Sequence, residues 1–362
     1  MEGLPHIGPV LEDRSRRDRF EARELAVVLS HYDLGVIDRI RVYPRGSRRS
    51  PKLRIRTDRG EFLIKRRAVG RDDPDRVAFA HGLVLYLAEQ GYPVPRLIAT
   101  RPGAESMLRL DGRIYEMFEY IQGRRYDQSL AASEQAGVVL GGLHRLLAGH
   151  KAESGSTGAT YHAAGGLDSK LARIADAVRA VEPQADRGAI NRTCTFLREA
   201  YHRAADRVER AGFARWPTCI LHGDWHPGNL IYQEDPAASS VVAVLDFDSA
   251  RQGPRMTDVA NAVLQFSMEM DQPDDPSTWP DGLDPHRMRS FLRGYDQAAL
   301  EPVGREEREA LAGMIIEALI VESVVPIAAT GRFSRIPGSS FLEMVERKVR
   351  WIGPRAATLV EQ

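Results

Sequence analysis

The chain has 362 residues, 43% hydrophobic and 28% charged, with 50 basic side chains against 50 acidic ones and a formal net charge of +0. That length exceeds one compact core and suits two lobes. The balanced charge provides no global field toward nucleic acid or an anionic membrane. The two cysteines, Cys194 and Cys219, form neither a disulfide framework nor a zinc pattern, so a reducing, cytoplasmic compartment is expected.

The segment up to Phe20 is rich in Arg, Glu and Asp and lacks the apolar run of a signal peptide. Phe20, Leu25, Val28 and Leu29 have helical spacing and predict a short amphipathic helix. Residues 36–42, 53–57 and 61–65 read as strands, the last two joined by the Asp58-Arg59-Gly60 turn. Asp72-Asp73-Pro74-Asp75 opens a helix, which Gly91 and Pro93 stop. Residues 94–99, 106–109 and 114–120 predict three more strands. After Gly123 the pattern turns helical, with helices over 133–147, 172–181 and 195–211, interrupted by apolar segments at 230–232 and 241–245. Residues 272–284 form a Pro- and Asp-rich loop. The apolar run 314–330 is broken by Glu317 and Glu322, too short and too polar for a bilayer span, and reads as a core helix.

The strongest signal is Leu221-His222-Gly223-Asp224-Trp225-His226-Pro227-Gly228-Asn229-Leu230. Asp246 follows, ending an apolar strand in Val241-Val242-Ala243-Val244-Leu245-Asp246-Phe247-Asp248. This order and spacing are those of kinase chemistry. Phosphoryl transfer asks the protein for in-line positioning and for cations on the phosphate oxygens. Asp224 suits an acceptor hydroxyl as orienting group and base. Mg²⁺ takes hard oxygens completed by phosphate and water, and Asn229 and Asp246 supply two, with Asp248 assisting directly or through water. Gly223 and Gly228 allow a tight loop, Pro227 stiffens it, and His222 and His226 are read as its support. A polar surface turn next to an unrelated acidic strand end is the plain alternative.

This pattern resembles the aminoglycoside phosphotransferase and choline kinase superfamily, and within it the type II homoserine kinase and spore-coat kinase-like branch. The resemblance is carried by His31-Tyr32-Asp33-Leu34-Gly35, Gly91-Tyr92-Pro93-Val94-Pro95, Leu140-Gly141-Gly142-Leu143-His144, the catalytic loop, and Asp246 through Asp258. It implies an α+β, bilobal protein-kinase-like fold. A β-rich N-terminal lobe would cover residues 1–121 and a mainly helical C-terminal lobe residues 122–362, with ATP or GTP and Mg²⁺ as donor and cofactor. It implies Lys65 as the phosphate lysine, Ser47 in a phosphate-covering loop that is not GxGxxG, and Glu116 and Phe118 in the interlobe linker that meets the purine. It also implies that Asp258 buttresses the catalytic loop. The helix after Lys65 lacks the glutamate that kinases pair with that lysine, and His81 is the candidate substitute.

The acceptor is expected to be a small molecule. Glu269, Asp271, Asp274, Asp275, Asp281 and Asp284 cluster in one segment that either forms an acidic lid for an amino-bearing acceptor or is a solvated loop. Glu317 and Glu322 either line a pocket or face water. Basic clusters at Arg14, Arg16, Arg17 and Arg19, and at Arg45, Arg48 and Arg49, lack the aromatic interleaving of a nucleic-acid module. A kinase-like binding or structural module and a protein kinase remain the alternatives, the second disfavoured because no APE-type segment follows Asp246.

Overall fold

The computed structural model describes residues 18–355 apart from Arg45, Pro102 and residues 151–159 and 236–237. The basic residues Arg14, Arg16, Arg17 and Arg45 therefore lie outside the described residues. In chain order the elements are α1 (Ala22–Ser30), β1 (Ile37–Val42), β2 (Lys52–Thr57), β3 (Gly60–Arg66), α2 (Pro74–Glu89), β4 (Leu108–Leu110) and β5 (Arg113–Glu119). There follow α3 (Leu130–Leu147), α4 (Leu167–Val181), α5 (Arg187–Arg210), β6 (Thr218–Leu221), β7 (Leu230–Tyr232), β8 (Val241–Val244) and β9 (Arg251–Pro254). The last helices are α6 (Met256–Ser267), α7 (Pro285–Ala298), α8 (Arg305–Thr330) and α9 (Gly338–Ile352). The described residues group into two compact units, one within Met1–Arg125 and Asn229–Ala250, the other within Tyr126–Gly228 and Arg251–Gln362. Residues 229–250 thus group with the β-rich unit.

In the first unit a five-stranded antiparallel sheet runs in the order β1-β2-β3-β5-β4. Its apolar face packs Leu53, Ile55, Phe62, Ile64, Leu108, Tyr115 and Met117 with Val28, Tyr32 and Leu34, the last three from α1 and the turn after it. The edge strand β1 leaves all six residues exposed, and its charged side chains discourage pairing with another chain. Helix α2 opens as its sequence demands: Asp73 accepts the Arg76 amide at 3.0 Å and Pro74 occupies the first turn, where a missing N–H costs nothing. The strand expected over 94–99 does not form. Pro93 and Pro95 carry no amide hydrogens, and the segment meets β5 only through the single bridge Leu97–Phe118 and two nearby backbone bonds.

In the second unit α8 is the central helix, 26 residues long, in contact with α4, α5, α6 and α9. It is long and apolar enough to cross a membrane, yet most of it is buried in the unit, as expected of a core helix. Helices α3 and α7 approach with their backbones close together. A Cβ on Gly137 would lie 2.0 Å from the Phe291 carbonyl oxygen, and one on Gly294 would lie 2.0 Å from that of Glu134. This pair carries His144 and Tyr295, which reach the site described below. Gly137→Ala is expected to lower stability by about 1–3 kcal/mol, because backbone must shift to admit the methyl group. Gly82→Ala, in α2 with nothing within 4 Å of the new Cβ, should instead raise it by roughly 0.5–1 kcal/mol. Urea unfolding of the two variants beside the parent chain measures both effects.

Candidate active site

In the first unit the sheet places charged side chains on the face opposite its apolar core. Lys65 and Glu116 are register partners across β3 and β5, so their side chains emerge side by side. The Lys65 Nζ lies 3.6 Å from Glu116, 2.7 Å from Asp248 Oδ2 and 3.5 Å from Asp246 Oδ1. Arg67 grips Glu116 with two parallel bonds of 2.8 and 2.7 Å and reaches Asp248 Oδ1 at 2.7 Å. His81 of α2 puts Nε2 at 2.7 Å from Glu116 and Nδ1 at 3.0 Å from Ser106. Because a carboxylate accepts, Nε2 carries the proton.

This arrangement corrects two sequence-based expectations. The glutamate missing from α2 is supplied by β5: Glu116 pairs with Lys65, and His81 holds Glu116 instead of the lysine. Glu116 and Phe118 accordingly sit inside β5 and not in a linker, and Glu116 is only 1% exposed. Burial opposes its ionisation, but Lys65, His81 and Arg67 outweigh burial and hold it well below the usual carboxylate range. Burial likewise opposes the charge on Lys65, and the carboxylates of Asp246, Glu116 and Asp248 raise it above the ordinary lysine value. Asp248, expected among the metal oxygens, has both oxygens taken by cations.

The hairpin of β7 and β8 brings Asn229 and Asp246 to one end, where the Leu245 amide donates to the Asn229 carbonyl at 2.9 Å. Asp246 adopts a left-handed backbone with φ of 64°, strain that a non-glycine residue sustains only where its surroundings impose it. The residue types suit a hard divalent cation: a carboxamide and a carboxylate flank one end of the hairpin, and the Asp246 side chain keeps 33% of its exposure. Among the described residues no three His, Cys, Asp or Glu side chains form a metal cage. Mg²⁺ needs only one or two carboxylates when phosphate and water complete its octahedron.

Ser47 is exposed, and its hydroxyl accepts the Arg49 amide at 3.2 Å, closing the 46–50 turn on itself. The sequence reading missed Lys52. It faces Lys65 across β2 and β3, and its ammonium lies beside Gly46, 3.0 Å from where a Cβ would stand. Burial, then repulsion from Lys65, lowers its pKa against the pull of Asp246, Asp248 and Glu116. It makes no side-chain hydrogen bond or ion pair among the described residues. The signal was available, since Lys52 opens the strand paired with that of Lys65, but the pairing register had to be known first.

In the second unit the loop is anchored by Asp258, the third residue of α6, which is 2% exposed. Its Oδ2 accepts the His222 amide at 2.7 Å and its Oδ1 the Gly223 amide at 2.9 Å. His144 lies 3.3 Å from Oδ2 through Nε2, and its Nδ1 is 2.9 Å from the Tyr295 hydroxyl. Burial pushes Asp258 up, but His144, His222 and Arg251 outweigh it and hold the carboxyl below its ordinary range. The loop then secures itself. The Asp224 amide donates to His222 Nδ1 at 3.3 Å, the Gly228 amide to His226 Nδ1 at 3.0 Å, and Gly223 takes a φ of 77°. His222 is fully buried and edge-on to Trp225. His226 Nε2 stands 3.6 Å from the Asp224 carboxylate. The roles of His144 and Tyr295 were not visible in sequence, because they depend on the α3–α7 packing.

The acidic segment divides into separate structural duties. Asp284 caps α7 and pairs with Arg287, Asp275 caps a short 3₁₀ turn, and Asp281 pairs with Arg347. Glu317 is buried and bonded to His162 at 2.8 Å.

A family model described as the phosphotransferase enzyme family matches residues 40–311. The chain is 24% identical over 292 residues to a homoserine kinase of Caulobacter sp. (strain K31), covering 80% of each. Among solved structures, a microcompartment-associated aminopropanol kinase superposes with a TM-score of 0.66 at 15% identity, covering 94% of this chain and 98% of its own. An amicoumacin kinase in complex with AMP-PNP, Ca²⁺ and Ami gives 0.63 at 12% identity, covering 93% and 94%. These neighbours share the protein-kinase-like fold expected from the sequence. The matched span covers the charged sheet face, the Asn229–Asp246 hairpin and the Asp258-anchored loop alike, and the chain belongs to the phosphotransferase enzyme family, acting on a hydroxyl acceptor.

Proposed function

We propose that this chain transfers the γ-phosphoryl group of ATP or GTP to a hydroxyl of a small, amino-bearing metabolite or antibiotic. The observation that carries this reading is the held geometry of the Asp224 loop: two adjacent backbone amides fixed on one buried carboxylate leave the Asp224 side chain 44% exposed. A base for an acceptor hydroxyl needs that accessibility together with a rigid backbone. The homoserine, aminopropanol and amicoumacin kinases support an amino-bearing acceptor by their names.

In this reading Asp224 orients the acceptor hydroxyl and takes its proton. Lys65 is a fixed positive charge for the nucleotide phosphates, and Lys52 is a second one, standing beside the Gly46 turn. Glu116, Arg67 and Asp248 position Lys65 and keep its ammonium from wandering. Asn229 and Asp246 would hold Mg²⁺, which neutralises phosphate charge when bound. Ser47 and the backbone of its turn cover the phosphates, and the purine meets the chain near Phe118. We place the activity in a reducing, cytoplasmic compartment, in keeping with two separate free thiols at Cys194 and Cys219.

Asp224→Asn should reduce kcat by roughly 10²–10⁴-fold, the usual share of a general base, while leaving thermal stability and nucleotide affinity near those of the parent. Turnover at the parental rate would remove Asp224 from the base role. Lys52→Met should raise the KM for ATP about 10–100-fold, the loss of one charge-assisted hydrogen bond, and leave the unfolding midpoint in place because no carboxylate loses a partner. An unaltered KM would return Lys52 to a passive strand residue. Asp246→Ala should weaken binding of the magnesium nucleotide in calorimetry more than binding of the metal-free nucleotide.

A further inference from the structure

Helix α8 carries a carboxylate whose hydrogen bonds come from neutral side chains. Glu322 is partly buried on a helix whose buried side chains are mostly apolar. The Tyr161 hydroxyl donates to its Oε1 at 2.6 Å and the Gln265 side-chain amide to its Oε2 at 2.8 Å. Both donors are neutral, and no Lys or Arg among the described residues forms an ion pair with it. Buried carboxylates elsewhere have a charged or chargeable partner: Glu116 has Lys65 and Arg67, Glu307 has Arg255, and Asp258 and Glu317 each have a histidine. Glu322 is therefore oriented at both oxygens while its charge lacks a cationic partner, an arrangement that disfavours burial unless a cation is supplied.

Its position says where that cation would come from. Gln265 lies seven residues after Asp258 on α6, two helical turns and about 10 Å along the same face. Asp258 is the residue that holds the His222–Gly223 backbone. Glu322 thus lies along the face that fixes the Asp224 loop, and the charges of Asp224 and His226 both act on it. Burial, with the Asp224 charge adding to it, raises the Glu322 pKa to about 6 against the hydrogen bonds of Tyr161 and Gln265 and the charge of His226.

We propose that Glu322, braced by Tyr161 and Gln265, is the ammonium-binding carboxylate of the acceptor site and selects amino alcohols whose hydroxyl is presented to Asp224. The inference rests on the reading that Asp224 receives the acceptor hydroxyl, and adds the chain's own recognition element for the amine. A protonated amine donates to the carboxylate and neutralises the repulsion between the two acids, whereas a diol of the same size does neither.

The test is steady-state kinetics of the full chain with ATP and Mg²⁺ on two acceptor pools. One contains ethanolamine, 1-amino-2-propanol and homoserine, the other 1,2-propanediol and amine-free analogues of the same size. The parent chain should prefer the amine pool. In Glu322→Gln, which keeps the shape of the site and one of its two acceptor oxygens but removes the charge, the amine-over-diol ratio of kcat/KM should fall at least about tenfold, through KM rather than kcat. Should that variant fail to fold, Tyr161→Phe and Gln265→Leu each remove one brace and should lower the same ratio several-fold, with smaller effect on the KM for ATP. Equal loss on both pools, or a shift in the ATP KM as large as that for the amine, would overturn the role of Glu322. A parent chain that phosphorylates only amine-free acceptors would overturn it too, while leaving phosphoryl transfer at Asp224 in place. Turnover of neither pool would overturn both.

Discussion

A carboxylate taken out of water must have its oxygens claimed by donors, or it will either protonate or unfold its surroundings. Each unit of this protein is organised around one such group. In the β-rich unit it is Glu116, 1% exposed, held by Lys65, Arg67 and His81 from β3, the residue after β3, and α2. In the helical unit it is Asp258, 2% exposed, held by two backbone amides and His144. Neither acid needs to touch a reactant to matter. Each turns a packing arrangement into the position of a neighbouring group, Lys65 in the first case and the Asp224 loop in the second.

The consequence is that elements remote in sequence govern the chemistry. His144 on α3 reaches Asp258 only because α3 and α7 approach at Gly137, Gly141 and Gly294 closely enough to bring Tyr295 against it. Asp246 takes a left-handed backbone beside a hairpin whose two strands are only three and four residues long, so its strain is sustained by contacts beyond the hairpin. Rigidity of this kind suits phosphoryl transfer, where the protein contributes alignment and charge more than covalent chemistry.

Much of the site was legible because its parts are local. The His222–Asn229 loop, the strand ending at Asp246 and the capped start of α2 are short contiguous segments whose residue types imply their conformation and chemistry. Lys65 was singled out through the family resemblance, at the end of an alternating strand. Less legible were β6 and β9, four residues each with residues 222–250 between them, because Arg251-Gln252-Gly253-Pro254 has no strand-like composition. The 94–99 segment failed in the opposite sense: its apolar residues suggested a strand that its prolines cannot sustain.

By itself the sequence determined the fold class, the phosphotransfer loop and the oxygen-bearing residues suited to a divalent cation, since these depend on spacing along the chain and on side-chain chemistry. Tertiary structure decided which charges meet. It assigned Glu116 to Lys65, closed both oxygens of Asp248 with cations, placed Lys52 opposite Lys65, and left Glu322 braced without a cation. Those outcomes follow from strand register and helix packing, and a one-residue change of register would send Lys52, Lys65 or Glu116 to the other face of the sheet while leaving the local sequence signals untouched.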